Sequence, residues 1–181
     1  RFLILKGGIT IASDRGVNGS QGGRIFQKSA GSRLFTVNGE NVRLTGLRIE
    51  GPHKETTPVK GKTVALYCTH RYLEIDNCEI YGWSDAAIGI GMTNISPYKK
   101  TDSEEKTAES NDTQSGTGIS DLEMKAGGYI HHNYFHHNQM EELGYGVVLS
   151  NGGIALIEAN YFDYCRHAIA GTGSPGDGYE A

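Results

Sequence analysis

Apolar residues along this chain come in short bursts, each closed by glycine, asparagine or aspartate. The runs GITIAS, RLFTV, NVRLTGLRIEG, TVALY, YLEIDNCEIYG, AAIGIGM, GGYIHHNYF, YGVVLS, ALIEANYF and HAIAGTG read as β-strands bounded by turn residues. No stretch of a dozen residues keeps apolar positions at i, i+3, i+4 and i+7, so amphipathic helices are not expected. The pattern is all-β.

The bursts also repeat. With Ile49, Ile80, Phe135 and Phe162 as anchors, an apolar residue stands five positions before each: Leu44, Ile75, Ile130 and Ile157. Seven before stand Val42, Leu73, Gly128 and Ala155. A variable loop follows each anchor, and then a second short apolar strand at 64–66, 88–90, 147–149 and around Ile169. Anchor spacings are 31, 55 and 27 residues, and the middle one holds a polar stretch of 27 residues, 92–118. Without that insertion all three approach 28, the mark of a solenoid. The chain therefore reads as one domain over 1–181 with an insertion loop at 92–118.

An inward-to-inward step of five cannot be one flat strand, because strand faces alternate with period two. A bend must fall within it, at Asn77, at His132–Asn133 and at Ala159–Asn160. Asparagine tolerates left-handed backbone geometry and hydrogen-bonds along a stack. This strand–Asn bend–strand–loop–strand unit resembles one coil of a right-handed parallel β-helix of the pectate-lyase-like superfamily. The resemblance covers nearly everything outside 92–118. Asn77 departs from it, standing one position earlier than Asn133 and Asn160 relative to the anchor, so a continuous Asn column is not expected.

Stacked coils turn alignment into contacts, since parallel neighbours lie about 4.8 Å apart. The outward column before the anchors is Arg48, Glu79, Tyr134, Tyr161, which predicts an Arg48–Glu79 ion pair and a Tyr134–Tyr161 ring stack. The column after the anchors is Glu50, Tyr81, His136, Asp163, which predicts a His136–Asp163 contact. These four, His136, Asp163, Tyr134 and Tyr161, are candidate substrate-binding residues.

Composition narrows the classes. The 17 Lys+Arg against 21 Asp+Glu give net −4, too weak and mixed for a nucleic-acid or anionic-membrane binder. No run nears 18 apolar residues, so no membrane insertion is expected. The 26 glycines are roughly twice ordinary usage. Three cysteines, Cys68, Cys78 and Cys165, lack CxxC spacing and cannot all pair with one another. The chain starts inside an apolar run and ends in SPGDGYEA, which reads as a fragment of a longer helix. The glycine-rich run 8–23 lacks both GxGxxG and GxxxxGK, so phosphate binding is not indicated. Asn94-Ile95-Ser96 fits the glycosylation pattern.

The densest polar cluster is HHNYFHHN, with His131, His132, His136 and His137. Imidazoles suit zinc or copper. These four flank the bend and fall on different sheets, so no shared metal is expected. A second constellation precedes the last strand of each coil: Asp85, Tyr145, and Arg166 with His167. The alignment puts Asp85 level with Arg166 and Tyr145 level with His167, beside strands whose outward residues are mostly small. In the enzymes resembled, that sheet and its rims form the polysaccharide cleft. Eliminative cleavage of a uronate needs a base and a neutralising cation, for which Tyr145, His167 and Arg166 have suitable chemistry. Hydrolysis needs a carboxylate pair, available among Asp85, Glu141, Glu142 and Asp163. The galacturonase set (NTD, a DD pair, GHG, RIK) and the RxPxxR of pectate lyases are absent, and no acidic cluster builds a calcium site. The sequence names no cofactor. Two readings stand: an extracellular or cell-surface β-helix that binds or cleaves polysaccharide, and a non-catalytic adhesive or structural solenoid capable of self-assembly.

Overall fold

A computed structural model of the chain describes residues 3–29, 31–53, 61–92, 125 and 127–181. Among the described residues seventeen strands build a parallel β-helix. The first coil comprises β1 (Leu3–Lys6), β2 (Thr10–Ala12) and β3 (Arg24–Phe26). The second comprises β4 (Arg33–Asn38), β5 (Val42–Thr45) and β6 (Arg48–Glu50), and the third β7 (Val64–Cys68), β8 (Leu73–Asp76) and β9 (Glu79–Tyr81). The fourth holds β10 (Ala86–Gly91), β11 (Gly128–His131) and β12 (Tyr134–His136). The fifth holds β13 (Tyr145–Ser150), β14 (Ile154–Glu158) and β15 (Tyr161–Asp163), and β16 (His167–Gly171) and β17 (Gly178–Glu180) follow. Every third strand joins the same sheet, giving a first sheet β1-β4-β7-β10-β13-β16, a second β2-β5-β8-β11-β14-β17 and a third β3-β6-β9-β12-β15.

Inward rows fill the helix. The expected anchor column runs Ile49–Ile80–Phe135–Phe162 in register, and Ile25 extends it by one coil. Phe135 and Phe162 stack with ring centres 4.9 Å apart and planes 9° from parallel. Leu44, Ile75, Ile130 and Ile157 form the second row, and Phe35, Leu66, Ile88 and Val147 the third. All eight are buried. Gly128 stands level with Leu73 in an otherwise apolar row, and the end of the Ile90 side chain takes up the room beside it.

The bends explain why asparagine recurs. Asn77, His132 and Ala159 turn the chain between the second and third sheets with φ of 52°, 55° and 52°. The residue after the turn then reaches back one coil. Asn133 accepts the Cys78 N–H (2.9 Å) and donates to the Ile75 carbonyl (2.8 Å). Asn160 repeats this with the Asn133 N–H (2.9 Å) and the Ile130 carbonyl (2.8 Å). Cys78 occupies the same place in the third coil, so the column is broken there, as the early position of Asn77 implies. A second bend follows the third sheet at Gly82, His137 and Tyr164, all with positive φ. There Asn138 accepts the Trp83 N–H (3.0 Å) and donates to the Ile80 carbonyl (3.2 Å). Residue spacing marks the first bend and leaves the second unmarked.

The coil before Ile49 stands outside the anchor series, because a loop over 13–23 replaces the short bend and puts Ile25 fourteen residues after Ile11. The Arg48–Glu79 pair is in register, but Arg48 Nη1 donates instead to Gln21 (2.9 Å). Glu79 takes Arg15 at 3.8 Å and His136 at 3.1 Å. Most of the insertion at 92–118, with Asn94-Ile95-Ser96, lies outside the described residues.

Candidate functional site

The segment 129–138 consists of two tandem pentapeptides, YIHHN and YFHHN. The first straddles β11 and its bend and the second β12 and its bend, so one motif is displayed on two adjoining sheets. Each builds the same relay. His131 Nε2 meets Glu74 Oε1 at 3.3 Å, and its Nδ1 meets His132 Nδ1 at 2.9 Å. His136 Nε2 meets Glu79 Oε1 at 3.1 Å, and its Nδ1 meets His137 Nδ1 at 2.8 Å. A carboxylate facing Nε2 calls for the Nε2–H tautomer on the first histidine, leaving its Nδ1 to accept from the second. In both relays the tyrosine two residues earlier stacks on the first histidine, Tyr129 on His131 at 3.9 Å and Tyr134 on His136 at 4.4 Å. The Glu79 carboxyl is held below its usual range mainly by the His136 hydrogen bond.

The third sheet carries the longer aromatic platform. Tyr81 stacks on His136 at 4.6 Å and 9°, and Tyr134 meets Tyr161 at 5.3 Å with a 33° tilt. His137 stacks on Tyr164 at 4.9 Å. Tyr161 and Tyr164 are 64% and 63% exposed. Tyr81 O–H donates to Glu50 (2.7 Å), itself paired with Arg24 at 2.6 Å. Burial, then that bond, pushes the Tyr81 phenol up to about 12. Beyond Glu79 the loop over 13–23 stands off the sheet and leaves a groove of about 480 Å³, lined by Arg15, Gly16, Gly19, Ser20, Gln21, Arg48 and Glu79.

The four candidate binding residues thus share one face. His136 and Asp163 are register neighbours as expected, but the imidazole turns away from Asp163 to Glu79. Asp163 instead lies 3.5 Å from the Tyr134 hydroxyl. Columns of the repeat pair residues straight along the stack. Long side chains also reach the diagonal neighbour two residues off, which is how His131 meets Glu74 and His136 meets Glu79 rather than its straight neighbours. The five-residue spacing of Glu74 and Glu79, equal to that of His131 and His136, was the available signal.

The four candidate catalytic residues are less united. Tyr145 and His167 are in register and stack at 5.6 Å and 15°. Arg166 lies beside them, exposed. Asp85 shares the column of Arg166 but not its neighbourhood. The Gly144 N–H donates to the Asp85 carbonyl and the His167 N–H to the Gly144 carbonyl, so a whole coil stands between Asp85 and Arg166. Burial raises the Asp85 carboxyl against the pull of Lys62 and Arg33. On β10 the small outward residues do not stand open. Ala87 is fully buried, and the Tyr67 ring lies over Gly89, where a Cβ would come 2.8 Å from it. Arg33 caps that ring at 3.9 Å. The small residues of β10 are a floor under Tyr67 rather than an open platform.

The four histidines divide between two sheets, each pair bonded within itself. Glu74, Asp76 and His131 place ligand atoms within 4.8 Å of one another. Arg43 reaches into that cluster, forked onto Asp76 at 2.8 and 3.0 Å and 3.5 Å from Glu74, and offsets one of its two carboxylate charges. Among the described residues no helix is long and apolar enough to cross a membrane. The chain matches no protein-family model, no curated protein and no solved structure.

Proposed function

We propose that this β-helix binds polysaccharide outside the cell, along the face formed by the third sheet. The observation that carries the reading is the platform of Tyr81, His136, Tyr134 and Tyr161, continued by Tyr164. Stacked on one another, these rings turn their polar edges outward, which suits the hydroxyl edges of a sugar chain, and Tyr161 and Tyr164 keep the most surface open to its C–H faces. Successive coils repeat the surface at about 4.8 Å, a spacing an extended polymer can follow. The resemblance of the coil unit to the pectate-lyase-like superfamily supports the same substrate class. Binding to a panel of neutral and acidic oligosaccharides by calorimetry tests it. Tyr134→Ala with Tyr161→Ala should weaken binding by roughly tenfold or more, since each removes a stacking surface. A wild-type protein that binds no glycan leaves the structural or adhesive solenoid as the function.

A second reading, an eliminative lyase, rests on the stacked and accessible Tyr145–His167 pair with Arg166 beside it. In it Arg166 neutralises a uronate carboxylate while Tyr145 or His167 takes the adjacent proton. The absorbance of unsaturated products from uronate polymers decides it. Arg166→Ala and His167→Ala should each abolish turnover with little loss of stability, whereas unchanged turnover in both places the chemistry elsewhere.

A further inference from the structure

Glycan binding accounts for one of the four histidines in the tandem motif YIHHN–YFHHN and leaves their pairing unexplained. We infer that each pair is a separate site for a tetragonal divalent metal, copper(II) before others. His131 and His132 would hold one ion through their Nδ1 atoms, and His136 and His137 a second. Metal binding here does not depend on the glycan-binding reading. Neither bend demands a histidine. His132 takes the turn position of Asn77 and Ala159, and His137 that of Gly82 and Tyr164, all with positive φ. One residue earlier, the register neighbours of His131 are Asp76 and Glu158, and those of His136 are Tyr81 and Asp163. Among the described residues only this coil sets two imidazoles side by side, and it does so at both of its bends.

The two pairs share one geometry. Their Nδ1 atoms lie 2.9 and 2.8 Å apart, and their ring planes stand 87° from each other in both. Two nitrogens at right angles on a metal, each about 2.0 Å from it, are about 2.8 Å apart, whereas tetrahedral ligands at that distance are about 3.3 Å apart. The separations match the tetragonal case of copper(II) or nickel(II), and copper(II) binds nitrogen donors more tightly than nickel(II). A ligating histidine is also backed on its other nitrogen, commonly by a carboxylate. Glu74 does this for His131 at 3.3 Å and Glu79 for His136 at 3.1 Å, which keeps the proton on Nε2 and the Nδ1 lone pair inward. The second histidine of each pair moves its proton from Nδ1 to Nε2 through water, so neutral imidazoles take the ion without net proton release. His132 is exposed and His137 half-buried, which leaves entry from solvent and room for water as the remaining ligands. Charge distinguishes the two sites. Around the first, Glu74, Asp76 and Glu158 stand against Arg43 and Lys125, a net negative surrounding. Around the second, Glu79 and Asp163 stand against Arg15 and Arg48. The first pair is therefore the tighter site.

The test titrates copper(II) and zinc(II) chlorides into the chelator-stripped whole chain in a non-coordinating buffer. Elemental analysis after gel filtration should find two coppers per chain, with an axial electron paramagnetic resonance spectrum split by bound nitrogen. Zinc should bind roughly tenfold or more weakly, since it prefers the tetrahedral spacing. His132→Asn and His137→Asn keep a residue that tolerates the left-handed turn. Each should leave one copper, the tighter one in His137→Asn, and the double variant should leave none. Glu74→Gln should weaken the first site by roughly tenfold or more at unchanged stoichiometry, because it touches the ligand and not the ion. Thermal unfolding of each metal-free variant controls for folding. Absence of stoichiometric copper, or copper that survives the double variant, overturns the sites. Copper lost in Asp76→Asn but kept in His132→Asn belongs to the Glu74–Asp76 carboxylates and overturns the first. A single copper lost in either histidine variant is shared between the pairs and overturns their separation, and zinc bound as tightly as copper overturns the tetragonal assignment.

Discussion

Asp76 shows how one residue's surroundings set a measurable pH dependence. Burial opposes its charge, but the hydrogen bonds from Arg43 and Thr45 outweigh that and hold the carboxyl below its usual range. A carboxyl depressed in the folded state contributes stability above its unfolded value and loses it as pH falls through the folded one. Urea midpoints of the wild type should therefore fall on acidification below about pH 4, and less steeply in Asp76→Asn. Equal slopes in the two proteins contradict the assignment. Asp76→Ala near neutral pH should cost about 1–3 kcal/mol, because it removes the hydrogen bonds that Asp76 accepts from Arg43 and Thr45. The cysteines give a second residue-scale test. Burial pushes the Cys68 thiol up to about 11 and Cys78 up to about 12, so both stay protonated and shielded. Iodoacetamide at pH 8 should label neither in the native protein and all three cysteines after unfolding. Native labelling of Cys78 contradicts the packing of the bend. These contacts were invisible in the sequence for a geometric reason: alignment ranks residues by column, whereas Arg43, His131 and His136 each bond a carboxylate on a diagonal.

At the scale of the element, the bends carry most of what is distinctive. Asn133 is only 3% exposed and bonds both the Cys78 N–H and the Ile75 carbonyl. Asn133→Ala leaves two buried backbone groups unpaired and should destabilise by about 2–4 kcal/mol. Asn160→Ala, in a half-buried position, should cost less. Urea denaturation ranks the two, and the reverse order contradicts the role given to the ladder. The first bend was legible because its five-residue step breaks strand alternation. The second was not, because Gly82, His137 and Tyr164 share no residue type although they share positive φ. The first coil escaped for a related reason. A bend expanded into an eleven-residue loop over 13–23 erases the spacing that marks the others, and the same expansion creates the groove.

At the scale of the whole molecule, the repeat predicted stacking, register and the inward rows, down to Ile49, Ile80, Phe135 and Phe162. Period and burial are global properties that many residues encode together, so one irregular coil does not hide them. A binding face is encoded by a few side chains whose outlook depends on what covers them. Nothing in the run AAIGIG announces that Tyr67 lies across it, and so the outward face of small residues read as open. Chemistry then divides between two faces, with the aromatic platform on the third sheet and Tyr145, Arg166 and His167 on the rim of the first. Backbone amide shifts, measured by NMR as a uronate oligosaccharide is titrated into the labelled protein, separate these faces directly. The expected perturbations fall on 13–23, 48–51, 79–82, 134–138 and 161–165, with 145–150 and 166–171 unmoved. Perturbations confined to the first sheet and its rim, or none at saturating ligand, contradict binding at the third.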